Sequence, residues 1–180
     1  MIKKLLLLLA AALGVILAAA SFQSDEMTVT RSRTIPAAPE AVFKVVNDFR
    51  LWDGWSPWAR LDPAMKKSLE GPFEGVGAVY RWSGNNEVGE GSTRLVESLP
   101  NEKIGMKLEF VRPFAGGADV TFSFSPQGGG TKVTWAMRSK KPFIGRVMGL
   151  FMDCEKMCGD QFNEGLANLA GLVSNGAAKK

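Results

Sequence analysis

Four stretches of strict alternation, followed by one change of period, constrain this chain more than anything else in it. Ala78, Tyr80 and Trp82 alternate with Val79, Arg81 and Ser83, and Ile104, Met106, Leu108 and Phe110 alternate with Gly105, Lys107 and Glu109. Val120, Phe122 and Phe124 alternate with Thr121 and Ser123, and Val133, Trp135 and Met137 with Thr134, Ala136 and Arg138. Side chains on a strand point to opposite faces in turn, so these runs predict antiparallel strands with one buried face. Turn residues separate them: Gly84-Asn85-Asn86, Pro100-Asn101-Glu102, Pro113 to Gly117, and Gln127 to Gly130. Such chemistry suits hairpins.

After Pro142 the spacing changes to three and four. Val147, Leu150, Phe151, Cys154, Met157, Cys158, Phe162, Leu166, Leu169 and Val173 form one stripe, while Asp153, Lys156, Asp160, Asn163, Glu164 and Asn168 take the other side. This predicts a single long amphipathic helix whose apolar stripe covers the apolar face of the sheet. Upstream, Met27 to Ile35 reads as a first strand, closed by Pro36. A short helix then opens at Pro39-Glu40 and presents Val42, Phe43, Val46 and Phe49. Trp52, Trp55 and Trp58, with Gly54 and Pro57 between them, predict a compact turn or irregular helix. The class is α+β, with about seven antiparallel strands.

The N-terminus is of another kind. Lys3 and Lys4 precede sixteen consecutive apolar or small residues, Leu5 to Ala20, before Ser21 to Glu26 turn polar. At 1.5 Å per residue this run covers about 24 Å, short of a ~30 Å hydrocarbon core and longer than the usual apolar part of a signal peptide. Length alone does not choose between an anchor and a cleaved signal. Ala18-Ala19-Ala20 fits a cleavage pattern, and the leading lysines direct the rest of the chain across the membrane. Residues 1–24 are therefore expected to be a signal or anchor segment, 25–174 a folded domain on the extracytoplasmic (periplasmic) side, and 175–180 a disordered tail. Membrane association runs through residues 1–20 if the segment is retained.

Composition removes several functions. The chain holds no histidine, which excludes Ser-His-Asp and Cys-His nucleophilic machinery and histidine-containing zinc sites. Of the formal net charge of +4, Lys3, Lys4, Lys179 and Lys180 sit at the two ends, so the body is nearly neutral and nucleic acid is not an expected partner. Cys154 and Cys158 stand one helical turn apart, where Cβ atoms lie ~5–6 Å apart against ~3.5–4.5 Å in a disulfide. They are read as buried free thiols, and neither a metal nor a cofactor is expected. Among inward strand positions only Tyr80, Thr93 and Glu97 offer acid-base chemistry, and no catalytic set is recognisable.

Three segments carry a resemblance: Ile35-Pro36-Ala37-Ala38-Pro39-Glu40-Ala41-Val42-Phe43 with Val46-Asn47-Asp48-Phe49, Trp52-Asp53-Gly54-Trp55-Ser56-Pro57-Trp58, and Gly130-Thr131-Lys132-Val133-Thr134-Trp135. With the order of elements, they make the chain from Met27 to Val173 resemble the SRPBCC superfamily, in particular its START-like, polyketide cyclase/dehydrase-type bacterial members. The resemblance implies a helix-grip fold, a curved seven-stranded antiparallel sheet packed on a long C-terminal helix. It further implies a cavity for a hydrophobic small molecule, lipid-, isoprenoid- or polyketide-like. That cavity would be lined by Trp55, Tyr80, Trp82, Met106, Leu108, Phe110, Phe122, Trp135 and Met137 on the sheet side, and by Phe151, Met157 and Phe162 on the helix side. The expected function is that of a carrier or sensor at the outer face of the cytoplasmic membrane. The alternative is a cyclase/dehydrase-like enzyme acting on a hydrophobic substrate in the same cavity. An empty, rigid cavity of ~300 Å³ would cost on the order of 7 kcal/mol, so it must be filled or partly collapse. Gly89, Gly91, Gly149, Gly159 and Gly165 read either as removed side-chain volume beside such a cavity or as points of close helix-on-sheet approach.

Overall fold

The computed structural model describes residues 2–176; Ala177 to Lys180, most of the expected tail, lie outside the described residues. Helix α1 (Ile2–Ser21) precedes strand β1 (Glu26–Ile35), helix α2 (Pro39–Asn47), a 3-10 turn (Phe49–Gly54) and the one-turn helix α3 (Trp58–Leu61). Six strands come next: β2 (Lys66–Glu70), β3 (Val79–Ser83), β4 (Glu90–Leu99), β5 (Lys103–Arg112), β6 (Gly116–Gln127) and β7 (Gly130–Lys140). Helices α4 (Phe143–Met148) and α5 (Cys154–Ser174) complete the chain.

The strands form one antiparallel sheet in the order β1-β7-β6-β5-β4-β3-β2. Each strand from β2 to β7 therefore lies beside its neighbour in sequence, as short hairpin connections require, and β1 closes the far edge on β7. The β6–β7 hairpin is the tightest. Gln127 pairs with Gly130 across Gly128 and Gly129, whose φ angles of 57° and 77° are those of a two-residue turn with both centres left-handed. The 3-10 turn is held by Asp48, which accepts from the Arg50 backbone N–H and pairs with its guanidinium at 2.6 Å.

Helix α5 lies chiefly over β1 and reaches α2 and the 3-10 turn. Its buried residues, Gly159, Phe162, Gly165, Leu166, Leu169 and Val173, recur at helical spacing and face Val29, Ile35, Phe122, Val133 and Trp135 of the core. The single continuous helix expected after Pro142 requires correction. The chain breaks between Met148 and Cys154, where Asp153 caps α5 by accepting from the Lys156 backbone N–H at 2.9 Å. An Asp side chain that competes for backbone donors favours starting a new helix over continuing an old one. Gly149 stands at the break with the Gln23 side chain 3.1 Å from where its Cβ would be.

Candidate functional site

In-register partners share a face, which sorts the inward set. Met137 lies opposite Val29 and Val120, Trp135 opposite Phe122, Leu108 opposite Ala118, and Tyr80 opposite Thr93. The same register puts Arg31 opposite Trp135, hence on the inner face under α5, where it binds Glu155 at 2.8 Å. Helix and strand approach closely there: a Cβ on Gly159 would meet the Arg31 guanidinium at 1.9 Å. Arg31 is absent from the expected site residues, although period two from Val29 points to it; an arginine in a strand reads as a solvent residue.

The expected lining separates into three groups. Trp55, Phe122, Trp135 and Phe162 are buried against one another. Trp135 stacks on Phe162 at 4.0 Å between centroids with an 8° interplanar angle, and Trp55 meets Trp135 and Phe122 edge-on at 5.6 Å and 6.0 Å. Trp58, also absent from the expected lining, closes the group by meeting both Trp135 and Phe162 edge-on. Sheet and helix interlock here, so this part of the space between them is filled by side chains. Gly165 and Gly159 accordingly serve close approach; a Cβ on Gly165 would lie 2.8 Å from the Trp135 ring. Among the described residues the buried indole N–H groups of Trp55 and Trp135 have no protein acceptor.

Tyr80, Met106 and Met137 are buried on the same face, whereas Trp82, Leu108 and Phe110 are only half-buried because α5 covers the β1 side of the sheet. Trp82 lies over Gly91, its partner across the strands, and meets Phe110 edge-on at 6.1 Å. Phe151 and Met157 require correction as helix-side lining. Phe151 falls in the break between α4 and α5 and is 71% exposed. Met157 is 55% exposed, because it stands two residues, or about 200°, from the inward Gly159 on a helix.

Phe151 instead borders a groove of about 420 Å³, formed with Gln23, Met27, Lys141, Leu150, Met152, Cys154 and Glu155. Met27 precedes Val29 by two along the inner face of β1, so this groove opens at the margin of the apolar face. Its volume falls within the ~300–1,000 Å³ of ordinary small-molecule sites. A second depression, about 480 Å³, is bordered by the outward side chains Lys107, Glu109, Asp119, Arg138 and Lys140 together with Glu26. Leu108, Gly117, Ala118 and Ser139 complete its lining, and Lys107 pairs with Asp119 there.

Acid-base chemistry finds little support. Burial, with a smaller contribution from Asp53, pushes the Tyr80 phenol well above its ordinary range, so it stays protonated and is not a base. Glu97 is not inward. The β4–β5 register shifts between Leu95 and Glu97, leaving Val96 as a bulge. The extra residue turns Glu97 to the outer face opposite Gly105, where it pairs with Lys103 at 2.7 Å. Cys154 and Cys158 are half-buried free thiols, and burial pushes Cys158 up to about 11. Among the described residues no group of three or more metal-ligating side chains is present.

Residues 26–174 match the family model described as polyketide cyclase / dehydrase and lipid transport. The chain belongs to this family. It is a START-like member of the SRPBCC superfamily, and family and fold together support a hydrophobic ligand-binding fold. Solved structures of the same fold include a Rhizobium leguminosarum protein at 15% identity, covering 85% of this chain and 97% of that one with a TM-score of 0.63. A Chromobacterium violaceum protein matches at 18% identity, 81% and 96% coverage and a TM-score of 0.60. The Aha1 dimer from Colwellia psychrerythraea matches at 15% identity, 82% and 96% coverage and a TM-score of 0.59. No match was found among curated proteins. At these identities the likeness concerns the fold alone.

Proposed function

We propose that the domain binds a lipid-, isoprenoid- or polyketide-like molecule between sheet and α5, and that it acts as a carrier or sensor at the outer face of the cytoplasmic membrane. The observation that carries this reading is the 420 Å³ groove. Met27, Leu150, Phe151 and Met152 stand on its walls beside Gln23, Lys141, Asp153 and Glu155, and it reaches the edge of the inward apolar face. Apolar burial of ~25 cal/mol per Å² supplies the affinity, and Gln23, Lys141 and Glu155 supply polar groups at the groove. The membrane side rests on α1, 20 residues long and apolar enough to cross a bilayer, with Lys3 and Lys4 at the end that stays in the cytoplasm.

Native mass spectrometry of the full chain, extracted gently from its own membranes, tests the reading. The expected result is a co-purifying apolar mass whose removal lowers the melting temperature and whose return, or addition of oleic acid or geranylgeraniol, restores it. A chain that carries no such mass, and melts identically with and without both probes, sinks the proposal.

A further inference from the structure

Within helix α1 the uninterrupted apolar run is Leu5 to Ala20, with Lys3 and Lys4 before it and Ser21 after it. That run spans about 24 Å against ~30 Å of hydrocarbon. Along α1 two described residues are shielded by the rest of the protein: Ala20 is fully buried and Ile16, one turn earlier, is half-buried. Helix α1 packs on α4, so α4 lies beside the last apolar turn of α1 and not beyond its end. Four residues at 1.5 Å set this overlap at about 6 Å, within the ~5–10 Å depth at which interfacial helices rest in a membrane. The surface that α4 and the adjoining loop present is apolar. Phe143, Ile144, Phe151 and Met152 are 42%, 48%, 71% and 43% exposed, and Phe22, directly after α1, is 91% exposed.

We propose that α4 and the loop to α5 form a second membrane contact, lying in the outer interface of the bilayer that α1 crosses. Phe22 extends the apolar surface past the end of α1, and Ile144 and Phe151 broaden it beside the last turn. The contact also sets the groove bordered by Met27, Leu150 and Phe151 against the lipid, so that a hydrophobic molecule passes between bilayer and protein without crossing water. The basic Lys140, Lys141 and Arg146 are matched in number by the acidic Asp25, Glu26 and Asp153, with Glu26 opposite Lys140 in the β1–β7 pairing, so the attraction is apolar and not ionic. The inference rests on the reading of α1 as a retained span, made under the proposed function.

Depth measurement on the full-length chain in phosphatidylcholine vesicles decides it. With Cys154→Ala and Cys158→Ala as background, single cysteines at Ile144→Cys, Phe151→Cys, Leu9→Cys and Leu99→Cys carry a nitrobenzoxadiazole label. Leu9 reports the middle of α1, and Leu99 the opposite end of the sheet, where it is 45% exposed. The labels at 144 and 151 are expected to be quenched at least about twofold more by shallow than by deep nitroxide lipids, unchanged by added salt. Leu9 should be quenched more by deep lipids and Leu99 by neither. If Leu9 is quenched while both 144 and 151 behave like Leu99, the interfacial contact is refuted and the anchor stands. If salt abolishes quenching at 144 and 151, apolar docking is refuted. If Leu9 itself escapes quenching, the span reading fails and the contact falls with it.

Discussion

Adding one methyl group at Gly165 tests whether α5 is seated on the sheet as closely as described. An ideal Cβ there lies 2.8 Å from Cζ3 of Trp135 and 3.2 Å from Cδ of Pro57, whereas ordinary contact begins at 3.4 Å. The ring or the helix must therefore yield by about 0.6 Å, the difference between 3.4 and 2.8 Å. Trp135 has little freedom to do so, being 4% exposed and stacked on Phe162 at 4.0 Å. Overpacking of this kind costs ~1–3 kcal/mol, while replacing glycine with alanine inside a helix returns ~1 kcal/mol. Gly171 on the same helix has nothing within 4 Å of its Cβ position, so Gly171→Ala isolates the helical gain. Gly171→Ala should stabilise by ~0.5–1 kcal/mol, and Gly165→Ala should lie ~1–3 kcal/mol below it. Urea unfolding of the full chain in a mild detergent, monitored by far-UV circular dichroism, measures both. Loss of near-UV signal in folded Gly165→Ala would locate the strain at the tryptophan stack. If the two variants are equally stable, α5 does not rest this close to Trp135. A bound apolar molecule that holds helix and sheet apart should shrink the difference.

Two further tests address the interior. The indole N–H of Trp135 is buried without an acceptor, so Trp135→Phe removes an unmet donor worth ~1–3 kcal/mol and leaves a void of comparable cost; the net change should stay within ~1.5 kcal/mol. A loss of ~3–5 kcal/mol in the same unfolding assay, as for a tryptophan truncated to alanine, would mean that this N–H is engaged. At Cys158, burial raises the thiol from 9.0 to about 11, so its thiolate at pH 8 is about a hundredfold scarcer than that of an unperturbed thiol. Iodoacetamide should therefore modify Cys158 in a Cys154→Ala chain at least about tenfold more slowly than it modifies the urea-unfolded chain, since the greater nucleophilicity of the higher-pKa thiolate offsets part of that loss. Rates within threefold would refute the burial. Because the folded state holds this proton more tightly, its contribution to stability is present below pH 9 and is lost as pH rises towards 11.

The parts of the fold visible in the amino-acid order are those that local geometry determines. Alternation places Tyr80, Met106, Phe122 and Trp135 on one face because pleating leaves no other option, and Gly128-Gly129 announces its hairpin through the two left-handed residues it needs. The parts that stay hidden depend on contacts far apart in sequence. The Val96 bulge leaves no mark in composition, yet one inserted residue carries Glu97 from the inner to the outer face and with it the best candidate base. The apolar stripe continues across Gly149 to Asp153 as if the helix did, and only Gln23 packed beside Gly149 and the Asp153 cap show why it stops. That interruption moves Phe151 from the helix stripe to the wall of a groove.

A set of aromatic residues does not by itself describe a cavity. Trp55, Trp135 and Phe162 have the same spacing whether they face each other across a gap or interlock, and side-chain identity does not distinguish the two. The glycines do, once the partner surface is known. Gly165 and Gly159 leave room that the Trp135 ring and the Arg31 guanidinium occupy, so the middle of the grip is closed by packing. The open groove lies instead at the end where α5 begins and α1 and α4 meet. Met27 and Leu150 border that groove, whereas Trp55 and Trp135 lie in the packed part, so the Gly165→Ala and Trp135→Phe tests report on packing and not on the groove.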